Sequence, residues 1–422
     1  MSGSVRRAVL RAVRLVLIGV PALGTTLLGP AHTPPAGPAG AAGTIVVPPP
    51  PARSVVTWAA SADRMGDAAG DRSYRLVLRT SSGGTGLRVR VSNAFGDRPL
   101  VIGGAYAGLR DSGARLRPGS NRRIVFGGSA SVTLAPGEIR YSDRLPGRVP
   151  ATSDLAVSLY VRDAGGSATG HGMALRTSYA TRGDHAAEER DGAYTERLGS
   201  WFYLDAVTVD ADRGDGGAVV TLGDSITDGW QSSTDKNQRW PDHLARRLRA
   251  SADSTVTGVA NAGISGNRVL ADGAAPSALQ RLDRDVLSLP GVRTVVLFEG
   301  INDIVSHPGV TAAALTAGYR EIIDRSHAAG LCVVGATVLP FQGWSEWSLQ
   351  KEAVRAEVNE WIRTSGAVDA VADFDKVLRS PYDARRILPT FDGGDHLHPN
   401  DKGMQAMADS VALQSLECER GR

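Results

Sequence analysis

The spacing of apolar positions along the chain changes near residue 215. From about 54 to 210 they recur every second residue in short runs. Leu87, Val89 and Val91 alternate with Arg88 and Arg90, the pattern of a half-buried strand. Segments 55–60, 74–80, 122–128, 131–135, 154–163 and 201–210 read the same way, and SSGG, RPGS, APGE and AGGS punctuate them as turns. Many short strands with no long helical stretch predict an antiparallel β-sandwich of the jelly-roll kind over 54–210.

From 216 to 418 the grammar is different. Five apolar runs, AVVTL, STVTGV, RTVVLFE, LCVVGATV and AVDAVADF, alternate with stretches of helical spacing such as WPDHLARRLRA and LQKEAVRAEVNEWIRTSG. A last helix starts after Pro399, with Asn400 as its N-cap. Strands apolar on both faces, separated by helices, predict an α/β domain with a parallel sheet covered on both sides. Only ADRGDGG (211–217) joins the two domains. So short a join favours a fixed interface, with the β domain walling one side of a cleft rather than acting as a tethered binding module.

The first 43 residues carry Arg6, Arg7, Arg11 and Arg14 ahead of an apolar stretch at 15–28. That is the layout of a signal peptide, too short to span a bilayer. A Pro/Ala/Gly-rich processing region follows, and 44–53 reads as linker. The protein is therefore expected to be secreted; Arg6-Arg7 fits a twin-arginine signal loosely. A net charge of +3 over 422 residues calls for no nucleic-acid partner, and no other segment suits membrane insertion. Cys332 and Cys418 form no disulfide framework or zinc spacing; their pairing is left open.

Ligand chemistry in parallel sheets sits at the carboxyl ends of the strands. The first run ends in Gly223-Asp224-Ser225-Ile226-Thr227-Asp228-Gly229. This is neither a G-x-S-x-G elbow, nor an EF-hand loop, nor a P-loop; it leaves a serine at a strand-to-helix turn. The second ends in Asn261-Ala262-Gly263-Ile264-Ser265-Gly266-Asn267, where glycine can expose a backbone N–H. The third ends in Glu299-Gly300-Ile301-Asn302-Asp303, where an asparagine can donate from its amide or cap a helix. Near the C-terminus, Asp395 and His398 lie three apart, with Pro399 holding His398 extended. A carboxylate there can orient the imidazole and stabilise its charged form. The rival reading, a metal bound by Asp395, His396 and His398, lacks further ligands to complete it. The remaining histidines, His171, His185, His243, His307 and His327, read as surface or structural. A serine, independent N–H donors and an Asp/His pair at successive strand ends are the parts for acyl transfer.

Gly223-Asp224-Ser225, the glycine in the Asn261-Ala262-Gly263 block, Gly300-Ile301-Asn302-Asp303 and Asp395-His396-Leu397-His398 resemble, in order, the four blocks of the SGNH (GDSL-type) hydrolases. Ile226 stands where the first block usually has leucine. The resemblance covers roughly the last 200 residues. It implies a flavodoxin-like three-layer α/β/α catalytic domain and a serine esterase that needs no cofactor and no metal. Ser225 would be the nucleophile, His398 the base and Asp395 its orienter. The Ser225 N–H, the Gly263 N–H and the Asn302 side chain would form the oxyanion hole. The whole layout is similar to a secreted bacterial subgroup grouped with arylesterases and acylhydrolases of xylan-degrading gene clusters. That points to small-molecule or polysaccharide esters with short acyl or acetyl groups. The alternatives are a lipase or phospholipase-type acylhydrolase and a non-catalytic carbohydrate-binding protein on a hydrolase scaffold. Trp230, Trp344 and Trp347 are candidates to line the substrate site; packing against the β domain is the competing role for the last two.

Overall fold

The computed structural model describes residues 54–212, 216–307 and 309–417. The expected signal peptide and linker, and Cys418 with its pairing, lie outside the described residues. Among the described residues no helix is long and apolar enough to cross a membrane.

Residues 55–211 form antiparallel sheets. One contains Val55–Ala59, Leu204–Ala211, Gly84–Ser92 and Leu145–Val149, with Ile139–Tyr141 also on Gly84–Ser92. A larger one runs through Glu196–Leu198, Ser178–Arg182, Arg72–Arg79, Asp154–Ala164 and Leu100–Ser112. A third pairs Trp201–Phe202, Ser167–His171 and Asp63–Asp67. Alternation does the packing: Leu87, Val89 and Val91 from the first sheet meet Leu76, Leu78, Val157 and Leu159 from the second in one apolar cluster. Trp58 and Trp201 meet edge-to-face there, ring centroids 4.9 Å apart.

Residues 217–372 supply a parallel sheet of five strands: Gly217–Gly223, Val256–Gly263, Val292–Phe298, Cys332–Ala336 and Ala370–Ala372. In chain order they lie side by side as second, first, third, fourth, fifth, a doubly wound order whose switch point falls beside the first strand. The helices are α1 (Ser225–Asp228), α2 (Trp240–Ala250), α3 (Ala278–Leu282), α4 (Ile301–Ser306), α5 (Ala312–Ala328), α6 (Leu349–Thr364), α7 (Phe374–Leu378) and α8 (Asp401–Ser410). Helix α8 begins where expected: the Asn400 side chain accepts the Lys402 and Gly403 N–H groups, satisfying donors a helix start leaves open. Leu244 and Leu248 of α2, Ile322 of α5, Val358 of α6 and Met404 of α8 join the strands in a single core.

The antiparallel region is built into that core. Val55, Val56 and Ala59 belong to the α/β cluster, and Ala60 pairs in parallel with Asn261. The Ser81 hydroxyl accepts the Val259 N–H at 2.9 Å. The free edge of the strand Val256–Gly263 is thereby covered, which blocks pairing with another chain.

Candidate active site

Three loops at the carboxyl ends of the parallel strands meet a fourth from the C-terminal side. The first strand ends at Gly223, and Asp224 caps α1 by accepting the Ile226 N–H at 2.9 Å. Ser225 is thus the first helical residue, where backbone N–H groups have no intrahelical acceptor. Its side chain is almost enclosed, 7% exposed. Ser225 Oγ lies 2.8 Å from His398 Nε2. His398 Nδ1 lies 2.8 Å from Asp395 Oδ2. The carboxylate fixes the tautomer: Nδ1–H donates to Asp395, leaving Nε2 to accept from the hydroxyl.

The loop carrying this pair is stiff. Gly393 N–H donates to the His398 carbonyl at 2.8 Å, and Asn400 N–H to that of Phe391 at 2.8 Å. Asp395 Oδ1 accepts the N–H groups of Leu397 and His398, at 3.0 and 2.9 Å. Burial alone would raise the Asp395 carboxyl. The side-chain and backbone hydrogen bonds of His398, its charge and the Leu397 N–H outweigh burial and hold the group well below the ordinary range. His396 turns away: its Nδ1 lies 2.6 Å from Asp392 Oδ2, at a backbone φ of +66°.

Gly263 does not offer its N–H to a ligand. That N–H donates to Asn261 Oδ1 at 2.8 Å, while Asn261 Nδ2 donates to the Thr227 carbonyl at 2.7 Å. The residue must be glycine for another reason: a Cβ there would sit 2.3 Å from Asp228 N and 2.7 Å from Thr227 C. Glycine lets the second strand pass against the helix that carries Ser225. The expectation that Gly263 lends an oxyanion donor is corrected accordingly. Just beyond it, Asn267 N–H closes a turn onto the Ile264 carbonyl at 3.0 Å, and Gly266 holds φ +78°, the third-position geometry of a type II turn. Among the described residues the Gly266 N–H has no acceptor. The signal for it was in the sequence, as a second glycine in the same loop. Asn302 meets this turn, its Nδ2 donating to the Asn267 carbonyl at 3.0 Å; an amide has a second N–H to give.

Beneath the loops lies a hub that sequence reading missed. Arg281 is fully buried. Its Nε donates to Asn267 Oδ1 at 2.8 Å, and its terminal nitrogens reach the carbonyls of Ala262 and Gly223 and the carboxylates of Asp285 and Glu299. One guanidinium therefore ties the ends of the first two strands to the Gly266 turn. Asp224 shares this buried ground, and burial pushes its carboxyl up to about 7. Burial and the neighbouring charge of Asp224 carry Glu299 well above its ordinary value.

Trp230, 42% exposed, stands 6.3 Å from the His398 ring, and Trp344 stands 6.0 Å from it, both edge-on. Both rings border the imidazole. Trp347 is half-buried and packs against the α/β core.

Residues 221–406 match the family described as GDSL-like Lipase/Acylhydrolase. Among solved structures, the chain is similar to the lipase/acylhydrolase from Enterococcus faecalis, at 22% identity over 47% of this chain and 94% of that one, TM-score 0.39. It is also similar to a carbohydrate acetylesterase from Sinorhizobium meliloti, at 16% identity over 46% and 94%, TM-score 0.37. A third is the aryl esterase of M. smegmatis, at 16% identity over 47% and 97%, TM-score 0.39. No curated protein matches the chain. Its second half is a GDSL-like lipase/acylhydrolase domain, and the protein is a carboxylic ester hydrolase.

Proposed function

We propose that the protein hydrolyses short-chain acyl or acetyl esters through a Ser225–His398–Asp395 triad and an acyl-enzyme. One observation carries the reading: the unbroken relay from Ser225 Oγ to His398 Nε2 and from Nδ1 to Asp395 Oδ2, each step 2.8 Å. His398 Nε2 takes the hydroxyl proton as Oγ attacks the ester carbonyl. Asp395, kept ionised by its hydrogen bonds, holds the imidazolium that results. The developing oxyanion is met by the Ser225 N–H, the free N–H of Asn302 and, in place of Gly263, the N–H of Gly266. The C–O bond breaks, the alcohol leaves with the proton from Nε2, and water repeats the cycle to release the acid.

Trp230 and Trp344 beside the imidazole support a substrate with a flat or ring-shaped alcohol part, a carbohydrate or an aryl group, because aromatic faces and edges pack well on both. The proposal includes export, resting on the basic-then-apolar leader at 1–28. The test is turnover of a short-chain aryl acetate by wild type and Ser225→Ala at equal folded concentration. The variant is expected to lose activity by roughly 10⁴-fold or more, since removing a triad nucleophile collapses the unit. Comparable rates would remove Ser225 from the role.

A further inference from the structure

The antiparallel region brings a titratable side chain, His171, to the neighbourhood of the site. His171 closes the strand Ser167–His171 and is 5% exposed. Its Nδ1 lies 2.9 Å from the Ser61 carbonyl oxygen. Its Nε2 lies 2.9 Å from Asp228 Oδ1 and 3.2 Å from the Met173 carbonyl oxygen. Carbonyl and carboxylate oxygens only accept, so a ring satisfied on both sides must carry two N–H groups. The geometry calls for an imidazolium, paired with a carboxylate that is 3% exposed.

Asp228 links this cation to the site at two points. It is the last residue of α1, the helix that Ser225 begins. Its other oxygen, Oδ2, accepts both the N–H and the Oγ–H of Ser265, each at 3.0 Å. Ser265 is the residue before Gly266 in the turn described above. One carboxylate therefore joins the nucleophile helix, the turn that offers the Gly266 N–H, and a charge from the other region of the molecule. Removing the cation leaves Asp228 buried and uncompensated, and such a group relaxes toward whatever donor or water it can reach.

Resting on the reading of Ser225 as nucleophile, we propose that His171 is a positioning residue: as an imidazolium it fixes Asp228, and through Asp228 it sets the distance between Ser225 and the Ser265–Gly266 turn. The antiparallel region then acts on transition-state stabilisation rather than only on cohesion or substrate capture. Interactions made with the oxyanion alone change kcat more than KM.

Other charges face the ring. Arg239, whose guanidinium lies over the Trp201 ring, opposes the imidazolium; Asp63 favours it. Burial alone would lower the His171 pKa. The Asp228 charge and hydrogen bond and the Ser61 carbonyl outweigh burial, so the group sits above its ordinary value. The proton is thus held more tightly in the folded protein than in the unfolded chain. The contribution is complete below the unfolded-state pKa and is lost as pH rises through the folded-state one.

The experiment compares wild type, His171→Phe, His171→Gln, Ser265→Ala and Ser225→Ala on a short-chain aryl acetate. His171→Phe is expected to lower kcat by about 10- to 100-fold with KM little changed, the scale of a displaced catalytic geometry. His171→Gln keeps one N–H toward Asp228 and is expected to recover part of the loss. The double variant His171→Phe/Ser265→Ala should lose less than the product of the two single losses, because both act through Asp228. ¹⁵N spectra of labelled histidine should show both ring nitrogens of His171 protonated at pH 7. A decline of wild-type kcat on the basic side should be missing from His171→Phe. A neutral ring, a wild-type kcat in folded His171→Phe, or simple multiplication in the double variant would each overturn the proposal. Should His171→Phe not fold, Ser265→Ala alone carries the test, with unchanged kcat as the overturning result. An active Ser225→Ala would bring down the nucleophile reading and this proposal together; an inactive Ser225→Ala with fully active His171 variants would bring down this one alone.

Discussion

Inside the α/β region cohesion is mainly apolar: one cluster runs from the five strands to the helices on either side and takes in Val55, Val56 and Ala59, around a few buried ion pairs such as Arg355 with Glu352 and Asp375. Where that region meets the antiparallel sheets, buried charge is added to the apolar contact. Arg90 is 2% exposed and bonds Asp205 Oδ1 at 2.7 Å, Ser288 Oγ at 2.8 Å and the Arg284 carbonyl. Arg284 in turn reaches the Ala62 carbonyl and Asp285, Arg281 reaches Ser61, and His171 reaches Asp228. Apolar contact is non-directional and tolerates small shifts. Charged hydrogen bonds hold angles and distances, and truncating one partner is costly. The contrast teaches a division of labour: the core holds the molecule together, and the seam holds the loops of the site in place.

The largest break in that contrast should come at the seam itself. Asp205→Asn leaves the Arg90 guanidinium buried without its counter-charge and is expected to lower unfolding free energy by about 3–5 kcal/mol, read as a drop in denaturation midpoint with the slope unchanged. A shift within about 0.5 kcal/mol would mean that the seam is no more demanding than the surface. Asn302→Ala works on the other side of the comparison. Removing one oxyanion donor should cost about 10²–10³ in kcat, or 2.7–4 kcal/mol of transition-state stabilisation, while thermal stability stays close to wild type. A large loss of stability instead would assign Asn302 to the framework. Arg182→Ala gives the lower bound. Its ion pair with Asp71 is solvent-exposed, 91% and 54%, and such pairs contribute well under 1 kcal/mol; the denaturation midpoint should barely move.

The same contrast explains what could be read from the chain. Period-two alternation marks the strand Gly84–Ser92 correctly but takes Arg88 and Arg90 for its wet face. Arg90 is buried because the second region covers it, and nothing local announces that. The longest antiparallel strand, Leu100–Ser112, escapes notice because Gly103, Gly104 and Gly108 dilute its apolar pattern. At the site, Ser225, Asp395 and His398 are legible because unusual chemistry stands at predicted strand ends, and the structure brings the three side chains together. Gly263 is legible as a glycine but not as a spacer: its approach to Thr227 and Asp228 is a fact of tertiary packing. Arg281 and His171 have ordinary neighbours in sequence, and their partners lie across the molecule.

The edge-covering contact between Ser81 and the strand Val256–Gly263 joins residues 178 apart in sequence. A ribosome adding roughly 5–20 residues per second needs about 10–40 s to deliver that distance. For most of that interval Val55, Val56 and Ala59 have been made and their apolar partners, from Ala206 onward, have not. The nascent protein therefore spends that period with a sticky strip at 55–59 uncovered, a segment that a chaperone would have to shield until the α/β region is made.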